Sequence, residues 1–184
     1  MAARLVAYAR ARRRRGAEDA MDTLRELFRH HAWATLRLVE YCASLPAAAL
    51  REPATGAYGP ILPTLVHLVA AEQRYLSRLP GEPPRTPLRE GMEPPLAELR
   101  AIVEEQAQRW EALLDRGAAL SVTMPAQPDG WPETPHAETL LMLQTLHHGN
   151  DHRTQISTIL GAHGRDGPSL DGWDYWETAH FRRA

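Results

Sequence analysis

The chain has 184 residues, 43% of them hydrophobic and 24% charged, and a net charge of −2 at neutral pH, a balance that suits one soluble globular domain. Its single cysteine, Cys42, excludes an internal disulfide, and no apolar run approaches the roughly 18 residues needed to cross a membrane. A cytoplasmic protein without a membrane partner is expected.

Residues 1–20 stand apart. They hold six arginines (Arg4, Arg10, Arg12, Arg13, Arg14 and Arg15) against Glu18 and Asp19, a net +4 that leaves residues 21–184 at −6. The acidic remainder argues against nucleic-acid binding by the folded domain. An Arg-rich arm could touch nucleic acid or a membrane, but no apolar core follows it, so a cleaved leader is not expected. The expected organisation is a disordered extension over residues 1–20, with Met21 as an alternative start, followed by one helical domain over residues 21–184.

The first helix is expected from Asp22, as N-cap, to Leu45. Leu24, Phe28, His31, Thr35, Leu38, Cys42 and Leu45 recur at alternating steps of four and three, the spacing of one helix face, and Pro46 closes the run. His31 sits in the middle of this seam, either as a hydrogen-bonded core histidine or on the wall of a pocket. A second helix is expected over residues 60–79. Pro60 and Pro63 are tolerated in its first turn, and Ile61 to Ala71 is apolar nearly all round except for His67. The Pro-rich stretch 80–95 reads as a long connection across the end of the fold. A third helix follows over residues 94–116, with seam Leu96, Leu99, Val103, Gln106, Trp110 and Leu113, in which Gln106 is the polar member. Residues 120–124 alternate as a short strand would.

The fourth helix, over residues 135–163, carries the most informative stretch: His148-Gly149-Asn150-Asp151-His152-Arg153-Thr154. Its seam reads Leu141, Thr145, His148, His152, Ile156 and Ile159, so two imidazoles four residues apart stand where leucines would be expected. An imidazole pair in an apolar seam needs partners for its nitrogens, and a divalent metal is one such partner. Four amphipathic helices with long connections imply a four-helix bundle, whose metal sites are built from inward side chains of facing helices. The third ligand should come from another helix; His67 is the first candidate, His31 the second and His147 a distant third. Trp173, Tyr175, Trp176 and Phe181 gather in the tail, which is expected to pack its aromatics on an open end of the bundle.

On these residues the chain resembles the DinB/YfiT-like family. The resemblance lies in Thr64-Leu65-Val66-His67-Leu68, in His148 to Ile156, in Trp33-Ala34 and in Asp171-Gly172-Trp173-Asp174-Tyr175, and it covers residues 21–178. It implies an all-α four-helix bundle in up-down-down-up order, a homodimer, and a divalent metal, nickel or zinc, held by His67, His148 and His152. It further implies a metal-dependent S-transferase that uses a low-molecular-weight thiol as co-substrate against a small electrophile, in detoxification or stress response. A metal-dependent hydrolase and a non-catalytic metal-binding stress protein are the alternatives. His31, Gln106 and Arg153 are expected to line the pocket, with Arg153 placed to hold a substrate carboxylate. Cys42, in an apolar seam, is not expected to be the nucleophile.

Overall fold

The computed structural model describes residues 2–79, 84–117, 121–126, 128 and 130–181, with side chains from Met21 onward. The fold is all-helical. Helix α1 spans Ala2–Ala43, a single 3-10 turn Ala49–Arg51 follows, and then come α2 Ile61–Ser77, α3 Leu96–Asp115, α4 Ala137–Ala162 and α5 Gly172–His180. The first four close into a ring of contacts: α1 packs on α3, α3 on α2, α2 on α4 and α4 on α1.

The seams read from the sequence are the buried faces. Phe28, His31, Thr35, Leu38 and Cys42 are buried on α1, Leu99, Val103, Gln106, Trp110 and Leu113 on α3, and Leu141, Thr145, His152, Ile156 and Ile159 on α4. Apolar burial falls into two clusters. One gathers Leu38, Ile61, Leu65, Leu99, Val103 and Ile156; the other gathers Phe28, Leu76, Trp110, Leu113 and Leu141. Between them lies a buried polar layer to which all four helices contribute: His31 and Thr35, Glu72, Gln106, and Thr145, His152 and Arg153. Along the chain α1 and α4 meet the Phe28 cluster first, whereas α2 and α3 meet the Leu65 cluster first.

Three expectations are corrected. Asp22 is not a cap, because α1 runs unbroken from Ala2; the preceding Ala, Arg, Leu and Glu residues favour helix, so the backbone has no reason to start at Asp22. The strand at 120–124 is not formed among the described residues, and Leu120 lies outside them; Met124 instead makes an isolated antiparallel bridge to Thr134. The tail does not bury its aromatics. It folds as α5, capped by the Asp171 carboxylate accepting from the Trp173 and Asp174 N–H groups, and only Tyr175 is buried, while Trp173, Trp176 and Phe181 are exposed. Tyr175 meets His30 and Trp33 of α1 edge-on and donates to Glu26 at 2.7 Å. With one ring docked, the other three have no facing helix to cover them.

The buried α1 seam begins near Phe28, so removal of residues 1–20 should leave the core intact. A thermal melt of the truncated chain should shift by less than about 4 °C, the equivalent of about 1 kcal/mol at this size. A larger loss would mean that the Arg-rich stretch docks on the folded domain.

Candidate metal centre

Two helices build the site. Helix α2 begins after Pro60, whose missing N–H costs nothing there, and its apolar surround carries His67 to the α4 side. On α4 the four-residue spacing turns His148 and His152 toward it. The three Nε2 atoms converge: His148 Nε2 lies 3.2 Å from that of His67 and 3.1 Å from that of His152, and the candidate ligand atoms all lie within 4.8 Å of one another. His152 is buried, and His67 and His148 are half-buried.

The hydrogen bonds fix which ring nitrogens are free. His67 Nδ1 donates to Glu90 Oε1 at 3.2 Å, and His152 Nδ1 donates to Gln155 Oε1 at 3.0 Å. The Gln155 oxygen also accepts the Tyr58 backbone N–H at 3.1 Å. With Nδ1 donating, Nε2 of both rings presents a lone pair inward, and His148 Nε2 can donate to one of them at most. Three inward nitrogens are therefore satisfied together by a cation. Two nitrogens bound to one tetrahedral zinc at about 2.0–2.1 Å stand about 3.3 Å apart, which matches the two short separations, so the donor set fits a divalent metal. Carboxylate or amide partners on the outer nitrogens are the usual support of a ligating histidine.

The connection after α2 supplies one of those partners. It does not simply cross the end of the fold. Gln73, buried, donates to the Thr86 carbonyl at 2.8 Å and accepts from the Leu88 N–H at 2.9 Å, which ties the chain back along α2 and delivers Glu90 to His67. Tyr58 stacks on His67 with centroids 4.1 Å apart and meets His152 edge-on. Burial, followed by the neighbouring His152 and His67, pushes the His148 imidazole down to about 4; burial also lowers His152, against the pull of Gln155. Both favour the unprotonated form that binds metal.

The three expected pocket residues lie in the interior. His31, Gln106 and Arg153 are buried in the polar layer and line neither the groove of about 810 Å³ between α1 and α3 nor the histidine cluster. Gln106 donates to the Val69 carbonyl at 2.8 Å. His31 Nε2 donates to Glu72 Oε2 at 2.9 Å, and its Nδ1 accepts from Arg153 Nη1 at 3.1 Å. The same Arg153 nitrogen donates to Thr35 Oγ1 at 3.0 Å, and Trp110 Nε1 donates to Glu72 Oε1 at 2.8 Å. Burial alone would raise the Glu72 carboxyl, but His31, Trp110 and Arg153 hold it below its ordinary value. Burial pushes the Arg153 guanidinium down to about 10, against the attraction of Glu72. An imidazole thus bridges a buried carboxylate and a buried guanidinium, and Arg153 is not placed to hold a substrate carboxylate.

Glu72, Glu90, Gln155 and Tyr58 were not legible as site residues. Glu72 does carry a signal: Leu65, Val69, Glu72 and Leu76 step by four, three and four, so Glu72 is in register with an apolar seam as the histidines are. A sequence profile of the DinB superfamily matches residues 30–156, a span that contains α2, α3, the three histidines and Arg153. No curated protein matches the chain.

The lowered His148 value has a stability consequence. The unfolded chain takes up this proton near pH 6.5 and the folded chain near 4, so the folded state loses stability as pH falls through that window. Metal-free protein followed by urea unfolding should weaken progressively between pH 6.5 and 4, and His148→Gln should flatten part of that slope. A slope unchanged in the variant would show that His148 is not held unprotonated by the fold.

Proposed function

The chain belongs to the DinB superfamily, and from that premise we propose that His67, His148 and His152 hold a divalent metal, nickel or zinc, in a thiol S-transferase. The observation that carries the reading is the convergence of three Nε2 atoms, with the outer nitrogens of His67 and His152 already occupied. Held by these three histidines, such a metal would supply a Lewis acid that favours the thiolate form of a thiol.

The thiol comes from a co-substrate. Cys42 is fully buried and its thiol is pushed up to about 12 by burial, so it supplies no nucleophile at neutral pH. In the transfer, the co-substrate's sulfur forms a bond to an electrophilic carbon of the small molecule, the leaving group departs with its electron pair, and the thiol proton passes to solvent. Tyr58 covers one side of the cluster by stacking on His67. On the other side Tyr75 meets His148 edge-on at 5.9 Å and accepts from Gln144 at 3.4 Å. Arg74 is exposed beside Tyr75. Its charge reaches both His148 and Tyr58, and it takes over the carboxylate-holding role expected of Arg153. The same reading includes a homodimer acting in the cytoplasm on small molecules in detoxification or stress response. Among the described residues, no helix is long and apolar enough to cross a membrane.

Metal analysis of the purified protein, then incubation of the loaded form with a thiol and a panel of electrophiles, tests the proposal. Excess zinc or nickel at 100 times Kd should stabilise the fold by about 2.7 kcal/mol, a rise of roughly 5–10 °C at this size. Substituting His67, His148 or His152 by alanine should abolish that rise and the thiol adduct together. Release of a hydrolysed product without thiol would favour a hydrolase. Metal binding without turnover of either kind would leave a metal-binding protein.

A further inference from the structure

We propose that Gly149 and the buried Glu72–His31–Arg153 chain form a clamp that fixes the rotation of α4 and thereby aims His148 and His152 at His67. The inference rests on the metal-site reading above and assigns these residues a positioning role.

Gly149 stands between the two histidines in the interior of α4, where glycine is an unfavourable helix residue. A Cβ at this position would lie 2.3 Å from His31 Cε1 and 2.8 Å from His31 Nδ1. The imidazole therefore rests on the α4 backbone itself, and any larger residue must displace either the ring or the helix. The ring is not free to give way. Its Nε2 is bonded to Glu72 of α2 and its Nδ1 to Arg153 of α4, both buried. Glu72 is held on its second oxygen by Trp110 of α3, and Arg153 is held by Thr35 of α1.

Helix geometry couples this contact to the metal centre. Gly149 and Arg153 are four apart and share a stripe of α4; His148 and His152 form the neighbouring stripe, turned by about 100°. One stripe meets α1 and the other meets α2. A rotation of α4 that relieved a clash at Gly149 would swing both histidines away from His67. The chain also ends on α2 at Glu72, the helix that carries His67. Helices α2 and α4 are thus located relative to each other before any metal arrives, and each buried polar group in the chain depends on the next for its partner.

The test is the zinc affinity of metal-free protein, read by competition with a chromophoric chelator well below the melting temperature. Gly149→Ala should weaken zinc binding by about 10–100-fold, the range seen when support of a ligating group is lost. His31→Ala should weaken it by about tenfold, and the double variant should be no weaker than Gly149→Ala alone, because the added methyl no longer meets a ring. His31→Gln, whose amide can accept from Arg153 and donate to Glu72, should stay within about threefold of wild type. Leu113→Ala, a cavity in the apolar cluster on α3, should lower the melting temperature and leave zinc affinity unchanged. If Gly149→Ala does not fold, Thr35→Val, which removes one Arg153 partner, reads the same quantity: weaker zinc binding supports the clamp and unchanged binding contradicts it. Gly149→Ala and His31→Ala proteins that melt lower but bind zinc as wild type does would overturn the clamp. A wild type that takes up no zinc would instead overturn the metal-site reading.

Discussion

His31 rests on the bare backbone of Gly149 at a distance no side chain at that position could share. Around that contact the fold is divided. Two apolar clusters lie on either side of a layer in which an indole N–H, a carboxylate, an imidazole, a guanidinium and a hydroxyl are bonded in one chain. Burying such groups costs free energy unless each finds its partner, and here every bond of the chain joins two different helices. The apolar clusters set how closely the helices pack; the polar layer sets how they are rotated, because a hydrogen bond has direction and dispersion does not.

The candidate metal centre is the outer edge of this layer. Two adjacent stripes of α4 serve the two halves: Gly149 and Arg153 face the interior, and His148 and His152 face His67. On the outer side the histidines are braced again, by Glu90 through the returning connection and by Gln155, which also holds the Tyr58 backbone. The site is therefore supported from the core and from the surface, while its three inner nitrogens face only each other. This arrangement suits a bound metal between α2 and α4. It also separates the protein's own thiol, deep in the Leu38 cluster, from any chemistry at that site.

The helices and most of the core were legible because their seams obey one period over four or more turns. His148 and His152 were legible for the same reason, as polar residues in register with apolar ones. Glu72 obeyed the same rule but stands beside Gln73 and Arg74, so the trio reads as the solvated end of a helix, whereas Glu72 and Gln73 are buried. The role of Gly149 is not legible in the sequence, because a glycine's role is set by what approaches it, which the chain order does not encode. Arg153 reads as a substrate-facing residue because its partners come from α1 and α2, more than a hundred and about eighty residues away. The exposure of the aromatic tail is hidden in the sequence for a related reason. Composition records how many large rings are present, but burial depends on whether a second surface faces them, and α5 offers α1 only one side.

Imidazole nitrogen resonances of the metal-free and zinc-loaded protein address the account most directly, because each ring is assigned a specific proton position. In metal-free protein His67 and His152 should carry their proton on Nδ1, and His31 should carry its proton on Nε2. On addition of one equivalent of zinc, the Nε2 signals of His67, His148 and His152 should shift together, while His31 keeps its proton and its resonance. A His31 ring that binds zinc in place of one of the three, or an Nε2 among the three that zinc leaves unmoved, would contradict the division of α4 into one stripe for the metal and one for the clamp.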